Sequence, residues 1–241
     1  MRWLEAELPG AVAAFSARTG GVSAAPWDEL NLGLLTGDRP AAVRENRRRL
    51  AAGLGLDPGR VVISRQVHGA ELAAHEHPQS PAPFAARGAR GSEAPEVDGH
   101  HTAEPDLGLL VFVADCLPIA IAGAERVAIL HGGWRGLAAG LLERGAAAVD
   151  GTAAAVGPGI GPCCFEVGNE VLAAFGSLGD GIAVGRMLDL REVARRLLVR
   201  SGVERIEISD LCTRCNPDLF FSHRGQGPET GRQAGLVWKR A

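Results

Sequence analysis

Short apolar runs, separated by polar or glycine-rich breaks, dominate the pattern along the chain. Val61-Val62-Ile63, Leu107 to Ala114, Ile119 to Ala122, Val127 to Leu130 and Ala153 to Val156 are continuously apolar rather than alternating. Runs of that length predict strands buried on both faces. Met1 to Leu8 predicts an edge strand and Ala11 to Ser16 a strand ending in a glycine turn; Ala234 to Trp238 predicts the last strand. Ile206-Glu207-Ile208 alternates as a half-buried strand does. A helix is expected from Asp38, as N-cap, through Pro40 to Ala52. On it Val43, Leu50 and Leu54 can face a core, while Arg44, Arg47, Arg48 and Arg49 mostly cannot. Leu137 to Val149 reads as one Ala/Leu-rich helix, and Phe165 to Phe175 contains a short one ended by Gly176. Asp189 caps another, whose Leu190, Val193, Ala194, Leu197 and Leu198 recur at helical spacing before Gly202 stops it. Strands and helices alternate without a strict βαβ repeat, which predicts a single α/β domain with mixed sheets. Ala73 to Glu96, rich in Pro, Ala, Arg and Gly, is expected to be a mobile lid or long surface loop with His75 and His77 solvated.

Three of the buried runs share one arrangement. Val61-Val62-Ile63 leads to His68, Leu109 to Ala114 leads to Cys116, and Val127 to Leu130 leads to His131. Each strand delivers an imidazole or thiol just beyond its end. Two His and one Cys are good zinc ligands, and three protein ligands with an open fourth position make a catalytic site that activates water. After His131, Gly132-Gly133 turns the chain into a helix start, whose free N–H groups favour an anion. A metal-free rival uses the same residues: Cys116 as nucleophile, His131 or His68 as base, and Asp115 or Asp98 as orienter. Cys212-Thr213-Arg214-Cys215 has metal-like spacing, but Cys163 and Cys164 are adjacent, which suits one tetrahedral ion poorly. These four are expected to be structural thiols. Gly157 to Pro162 lacks dinucleotide-loop spacing; it is either a rigid turn or a segment that brings backbone N–H groups close to a ligand.

Composition narrows the field. Hydrophobic residues at 46% and charged ones at 22% belong to a globular chain, and a net charge of −3 gives no reason to expect a nucleic-acid partner. Leu107 to Ala124 is broken by Asp115 and Pro118, so no membrane span is expected. Five cysteines, with Glu5, Glu7 and Pro9 interrupting any signal-peptide core, point to a reducing cytoplasm.

Several longer motifs occur in order. They include Phe15-Ser16-Ala17-Arg18-Thr19-Gly20-Gly21-Val22-Ser23, Asn31-Leu32-Gly33, Glu45-Asn46-Arg47, Gln66-Val67-His68-Gly69, Asp98 and Ala114-Asp115-Cys116-Leu117-Pro118. His131-Gly132-Gly133-Trp134-Arg135-Gly136, Gly157 to Pro162, Phe165-Glu166-Val167-Gly168, Cys212-Thr213, Phe220-Phe221-Ser222 and Thr230-Gly231-Arg232 follow. The chain resembles the family once called multicopper polyphenol oxidase or laccase-domain proteins, regarded as zinc-containing purine nucleoside phosphorylases with adenosine deaminase activity. The resemblance implies mixed sheets sandwiched between helical layers, in a fold related to cysteine-hydrolase-like toxins. It implies zinc, or copper under the older label, on His68, Cys116 and His131. It maps a phosphate-side arginine onto Arg47 and suggests that Arg18, Asn31, Gln66, Gly133 and Arg135 also bind substrate. Asp98 or Asp115 would move protons during deamination. Purine nucleosides and phosphate are the expected partners, and a monomer the expected state. Departures from the family pattern are His131-Gly132-Gly133, a minor change, Asp98-Gly99, and His223 in place of a tyrosine; the segment that follows, Gly225 to Glu229, implies a different C-terminal pocket wall. Three alternatives remain open: an amidase that edits UDP-muramoyl cell-wall precursors, a non-catalytic metal- or nucleotide-binding module and, as the lesser one, a copper-dependent polyphenol oxidase.

Overall fold

A computed structural model describes residues 3–80, 82–85 and 94–241. The strands of the N-terminal half are β1 (Trp3–Leu8), β2 (Ala11–Ser16), β3 (Val61–Val62), β4 (Leu72–His75), β5 (Gly99–Thr102) and β6 (Gly108–Val113). They continue as β7 (Leu117–Ala122), β8 (Val127–Gly132), β9 (Ala153–Val156), β10 (Ala183–Val184), β11 (Met187–Leu188), β12 (Arg205–Ile208) and β13 (Gln233–Lys239). The helices are α1 (Pro40–Gly53), α2 (Trp134–Ala138), α3 (Leu141–Ala148), α4 (Asn169–Ala174), α5 (Leu190–Arg200) and α6 (His223–Gln226).

Two mixed sheets carry the fold, in orders β1-β2-β13-β6-β3 and β12-β9-β7-β8-β5-β4. The apolar runs explain how they stack. On β6, Leu109, Val111 and Val113 face the space between the sheets, while Leu110 faces the other way, toward Leu50 and Ala51 of α1. On β7, Ala120 and Ala122 face inward, while Leu117, Ile119 and Ile121 pack with Leu141, Leu142, Val193 and Leu197 of α3 and α5. Strands covered on both faces have no polar side to show, which is why these runs do not alternate. The layers are therefore helix, sheet, sheet, helix, the α/β sandwich expected of the chain. Each buried Leu or Ile contributes roughly 1.5–3 kcal/mol of transfer free energy.

Several local expectations are corrected. Asp38 is not the cap of α1: that position is Arg39, and Asp38 instead accepts hydrogen bonds from Ser23 Oγ at 2.6 Å and Asn31 Nδ2 at 3.0 Å. Arg47 is buried inside the fold rather than solvated with its helix neighbours. The single helix expected from Leu137 is two, broken at Gly140, whose φ of 87° is cheap only for glycine. The loop expected from Ala73 begins instead as β4, paired in parallel with β5. His75 is not solvated, since its Nε2 lies 3.0 Å from His100 Nδ1. Residues 81 and 86–93 of that expected loop lie outside the described residues. Among the described residues no helix is long and apolar enough to cross a membrane.

Candidate metal centre and its cavity

His131 is the next inward-facing position on β8 after Val127 and Ile129, so strand periodicity aims it at the end of the inter-sheet space. It lies within the strand, opposite Pro118, rather than just past its end. Cys116 sits in the link from β6 to β7, where the chain leaves one sheet for the other. His68 follows β3 after a short loop. Its φ of 59° and the 92° of Asp115 are left-handed values, uncommon outside glycine, and strained backbone of this kind gathers at functional sites.

The ligand atoms of His68, Cys116 and His131 all lie within 4.8 Å of one another. The two imidazole rings meet edge to face, centroids 4.7 Å apart. His68 is exposed, Cys116 half-buried and His131 buried, so the triangle opens toward solvent on one side only. Gly133 forms its floor: a Cβ there would fall 3.1 Å from His68 Cδ2 and 3.3 Å from Cys116 Sγ. Two imidazoles and a thiol, converging with one side open, fit a catalytic divalent ion.

Asp98 organises this triangle from behind. It is fully buried, and its carboxylate accepts the N–H groups of Val67, His68 and Gly69 at 3.0, 2.9 and 2.7 Å. It also lies 2.8 Å from His131 Nδ1. Four contacts match the lone-pair capacity of a carboxylate. Asp98 therefore positions His68 and His131, with both of its oxygens engaged. Burial alone would raise the Cys116 thiol, but the charge and hydrogen bond of His131, with a further bond from His68, hold it at about 6. Burial likewise opposes charge on His131, yet Cys116 and Asp98 raise it to about 9. Without a metal the pair is a thiolate beside an imidazolium; each is ready to bind a cation once His131 gives up its proton.

Above the triangle lies a cavity of about 480 Å³. It is large enough for a small organic ligand. Arg47, Gln66, Gly133 and Arg135 of the expected binding residues line it, with Asp115. Arg18 and Asn31 do not. Arg18 is spent on the Asp28 and Pro217 carbonyls and the Asp28 carboxylate. Asn31 holds Gly33 O, Thr36 Oγ1 and the N–H groups of Gly33 and Arg232, so it shapes the rim without touching the interior. Gln66 is engaged at both ends by the Phe112 backbone, at 2.8 and 2.7 Å. Arg47 donates to Leu32 O at 2.9 Å and to Pro83 O at 3.3 Å, and its guanidinium lies near the Phe84 and Phe112 rings. No carboxylate among the described residues pairs with it, and burial lowers it to about 10. A desolvated guanidinium facing a cavity is an anion seat.

Sequence reasoning missed Arg224 and Arg232 as wall residues. Arg232 is pinned to Thr230 O and Gly231 O, and burial lowers its pKa although Cys116 and Asp115 work the other way. Thr230-Gly231-Arg232 was visible as a motif, but nothing in the chain's linear pattern placed it opposite Cys116. The helix start after Gly133 contributes less than expected, because α2 spans only five residues. A further correction concerns Cys163, Cys164, Cys212 and Cys215, which converge on one point despite the adjacent pair.

Comparison with known proteins agrees with this architecture. The chain is 37% identical to purine nucleoside phosphorylase YfiH of Escherichia coli, over 95% of this chain and 94% of that protein. It is 38% identical to a purine nucleoside phosphorylase of Xylella fastidiosa, over 95% and 93%. The crystal structure of YlmD from Geobacillus stearothermophilus superposes with a TM-score of 0.87 at 33% identity, covering 99% of this chain and 96% of that one. A Bacillus licheniformis hypothetical protein YfiH gives 0.85 at 30% identity, covering 95% and 93%. The family described as multi-copper polyphenol oxidoreductase laccase matches residues 12–240, and the chain belongs to it, beside relatives that are named purine nucleoside phosphorylases.

Proposed function

We propose that the protein is a zinc-dependent purine nucleoside enzyme. It cleaves adenosine, inosine and methylthioadenosine with phosphate, giving base and ribose 1-phosphate, and it deaminates adenosine to inosine. The observation that carries this reading is the His68-Cys116-His131 triangle beneath a cavity walled by Arg47, Arg135, Arg224 and Arg232. His68, Cys116 and His131 would hold the ion, with Asp98 fixing the tautomer of His131. Bound there, it supplies Lewis acidity to whatever substrate atom or water faces the open side.

The chain's own residues do the rest. Arg47 presents a planar fork to phosphate oxygens, orienting the nucleophile toward the sugar carbon. Its hydrogen bonds to Leu32 O and Pro83 O keep the fork still. Arg232 balances the negative charge that accumulates near Cys116 as the glycosidic bond breaks. Phe112 and Phe165 provide the apolar wall against which a purine stacks. Asp115 is the carboxylate for proton transfer. Its oxygens accept from Thr213 Oγ1 and Arg224 N, both at 2.6 Å, which leaves half its lone pairs unused. Purified protein given adenosine, with and without phosphate, should yield adenine only with phosphate and inosine in both. No product above that of a Cys116→Ala variant would refute the reading.

One observation favours a second reading. Asp98, His131 and Cys116 form a consecutive orienter, base and nucleophile, the arrangement of a metal-independent cysteine hydrolase. Such an enzyme could edit UDP-muramoyl-amino acid precursors. Amide hydrolysis of such a precursor that survives complete chelation would favour it over the nucleoside enzyme. Copper-dependent polyphenol oxidation ranks last. The donor sets among the described residues, two His with one Cys and four Cys, are poor in the histidines that several coppers need.

A further inference from the structure

Four of the five cysteines gather far from Cys116 in sequence and outside the cavity wall. Cys163 and Cys164 sit on the turn after β9, and Cys212 and Cys215 on the turn after β12. Their sulfurs all lie within 4.8 Å of one another, and Cys215 Sγ is 3.5 Å from both Cys163 Sγ and Cys164 Sγ. A tetrahedral ion with metal–sulfur bonds of about 2.3 Å places its ligands about 3.8 Å apart. The two 3.5 Å pairs fall just short of that value, and every other pair lies within 4.8 Å. They are too long for S–S bonds and too short for a multi-iron cluster, whose ligands bind different metal atoms.

Adjacent Cys163 and Cys164 can share one ion because of the backbone between them and the preceding turn. Cys164 N–H and Phe165 N–H both bond Gly161 O, at 2.9 and 3.0 Å, curling the segment into a tight turn. Its two neighbouring side chains then straddle Cys215. On the other turn, Asn216 N–H bonds Cys212 O at 3.2 Å, which brings Cys215 back over Cys212. Gly161 N–H points at Cys212 Sγ from 3.2 Å, the kind of second-layer hydrogen bond that steadies a metal-bound thiolate. A Cβ on Gly161 would fall 3.0 Å from Arg191 Nη2 and 3.4 Å from Cys163 Sγ. Arg191, which also pairs with the Asp189 carboxylate at 3.7 Å, therefore packs against the same glycine as Cys163.

We propose that Cys163, Cys164, Cys212 and Cys215 form a second, closed zinc site that ties the β9 turn to the β12 turn. Each thiol loses its proton to solvent as the ion binds, and no redox step is involved. Cys163 and Cys215 are exposed, so the ion enters from the surface rather than through the cavity. The tie is structural, with four protein ligands and no open position. It reaches the catalytic centre through Asp115. Thr213, next to Cys212, bonds the Asp115 carboxylate at 2.6 Å, and Ile160 N–H bonds Asp115 O at 2.8 Å. Both turns therefore grip the residue that precedes Cys116.

Elemental analysis of the full chain purified without chelator tests the proposal. Wild type should carry two zinc per chain, Cys163→Ser/Cys215→Ser one, and His68→Ala/Cys116→Ala one. Should the first double variant fail to fold, maleimide labelling of native wild type decides. In the peptide map Cys163, Cys164, Cys212 and Cys215 should be protected until a chelator is added, and addition of Zn²⁺ alone should restore their protection. Free labelling of those thiols before chelation would overturn the site. So would Cys163–Cys215 or Cys164–Cys215 disulfides in the peptide map, or unchanged zinc in a folded Cys163→Ser/Cys215→Ser variant.

Discussion

Asp98 Oδ1 lies 2.8 Å from His131 Nδ1, and the same oxygen accepts the backbone N–H of His68 at 2.9 Å. One carboxylate thus sets the direction of one ligand ring and the loop position of another. Replacing Asp98 with Asn keeps the shape, halves the acceptor capacity and removes the charge that supports His131. Asp98→Asn should weaken metal binding by about 10–100-fold. Competition against a chromogenic chelator measures it, with His131→Ala as the lower bound. Unchanged affinity would show that Asp98 serves only the loop.

Arg47 should separate the two proposed reactions. Its charge faces the cavity without a carboxylate partner among the described residues. A charged hydrogen bond is worth about 1.5–3 kcal/mol. Arg47→Met should therefore lower kcat/KM for phosphate by about 10–200-fold while leaving phosphate-independent adenosine deamination within about 3-fold. Equal loss of both activities would instead mean that Arg47 maintains the cavity, through Leu32 O and Pro83 O.

Gly133 offers a steric test that leaves every ligand in place. Alanine there puts a methyl 3.3 Å from Cys116 Sγ and 3.1 Å from His68 Cδ2, closer than side chains normally pack. The backbone at this position is extended, with φ −77°, so alanine brings no backbone strain. Gly133→Ala should lose the catalytic metal equivalent while its thermal midpoint, compared between chelated proteins, stays within about 4 °C of wild type. Full metal content in the variant would mean that the triangle has room to relax.

Acid stability should report on His100. This ring is buried between His75 Nε2 and Ser64 Oγ, and burial, helped by the charge of His75, drives its pKa from 6.5 down to about 3. Between those values the unfolded chain takes up a proton that the folded chain refuses. Stability is therefore full above about pH 6.5, falls as the pH drops, and levels out near pH 3, at a slope of up to about 1.4 kcal/mol per pH unit. His100→Gln should flatten the wild-type dependence between about pH 6.5 and 5, read as urea midpoints on chelated protein. Parallel slopes would exclude His100 as the source.

The fold was legible where burial leaves a linear trace. Strands sealed on both faces had to be apolar runs, so β6, β7, β8 and β9 stood out with nearly correct ends. His68, Cys116 and His131 were legible because each follows such a run. Contacts made across the sandwich left no such trace. Nothing local indicates that Asp98 exhausts its lone pairs on another loop, or that Arg18 turns away from the cavity toward Pro217. Arg47 and Arg49 are both helix arginines, yet one is buried and the other pairs with Glu45, a difference fixed by which face meets Phe84 and Phe112. The convergence of the four cysteines leaves no linear trace for the same reason: adjacency in sequence says little about where a tight turn sends two sulfurs.

Cys116 occupies the crossing between the two sheets, with His68 rooted beside one and His131 in the other. The donor set thus spans a seam, and its span is governed by how closely the two walls approach. That gap is lined by small side chains, among them Ala11, Ala13, Ala120, Ala122, Ala153 and Ala155. Thickening any of them would wedge the walls apart and stretch the coordination triangle from a distance, so reactivity in this molecule can be retuned by mortar as readily as by ligands.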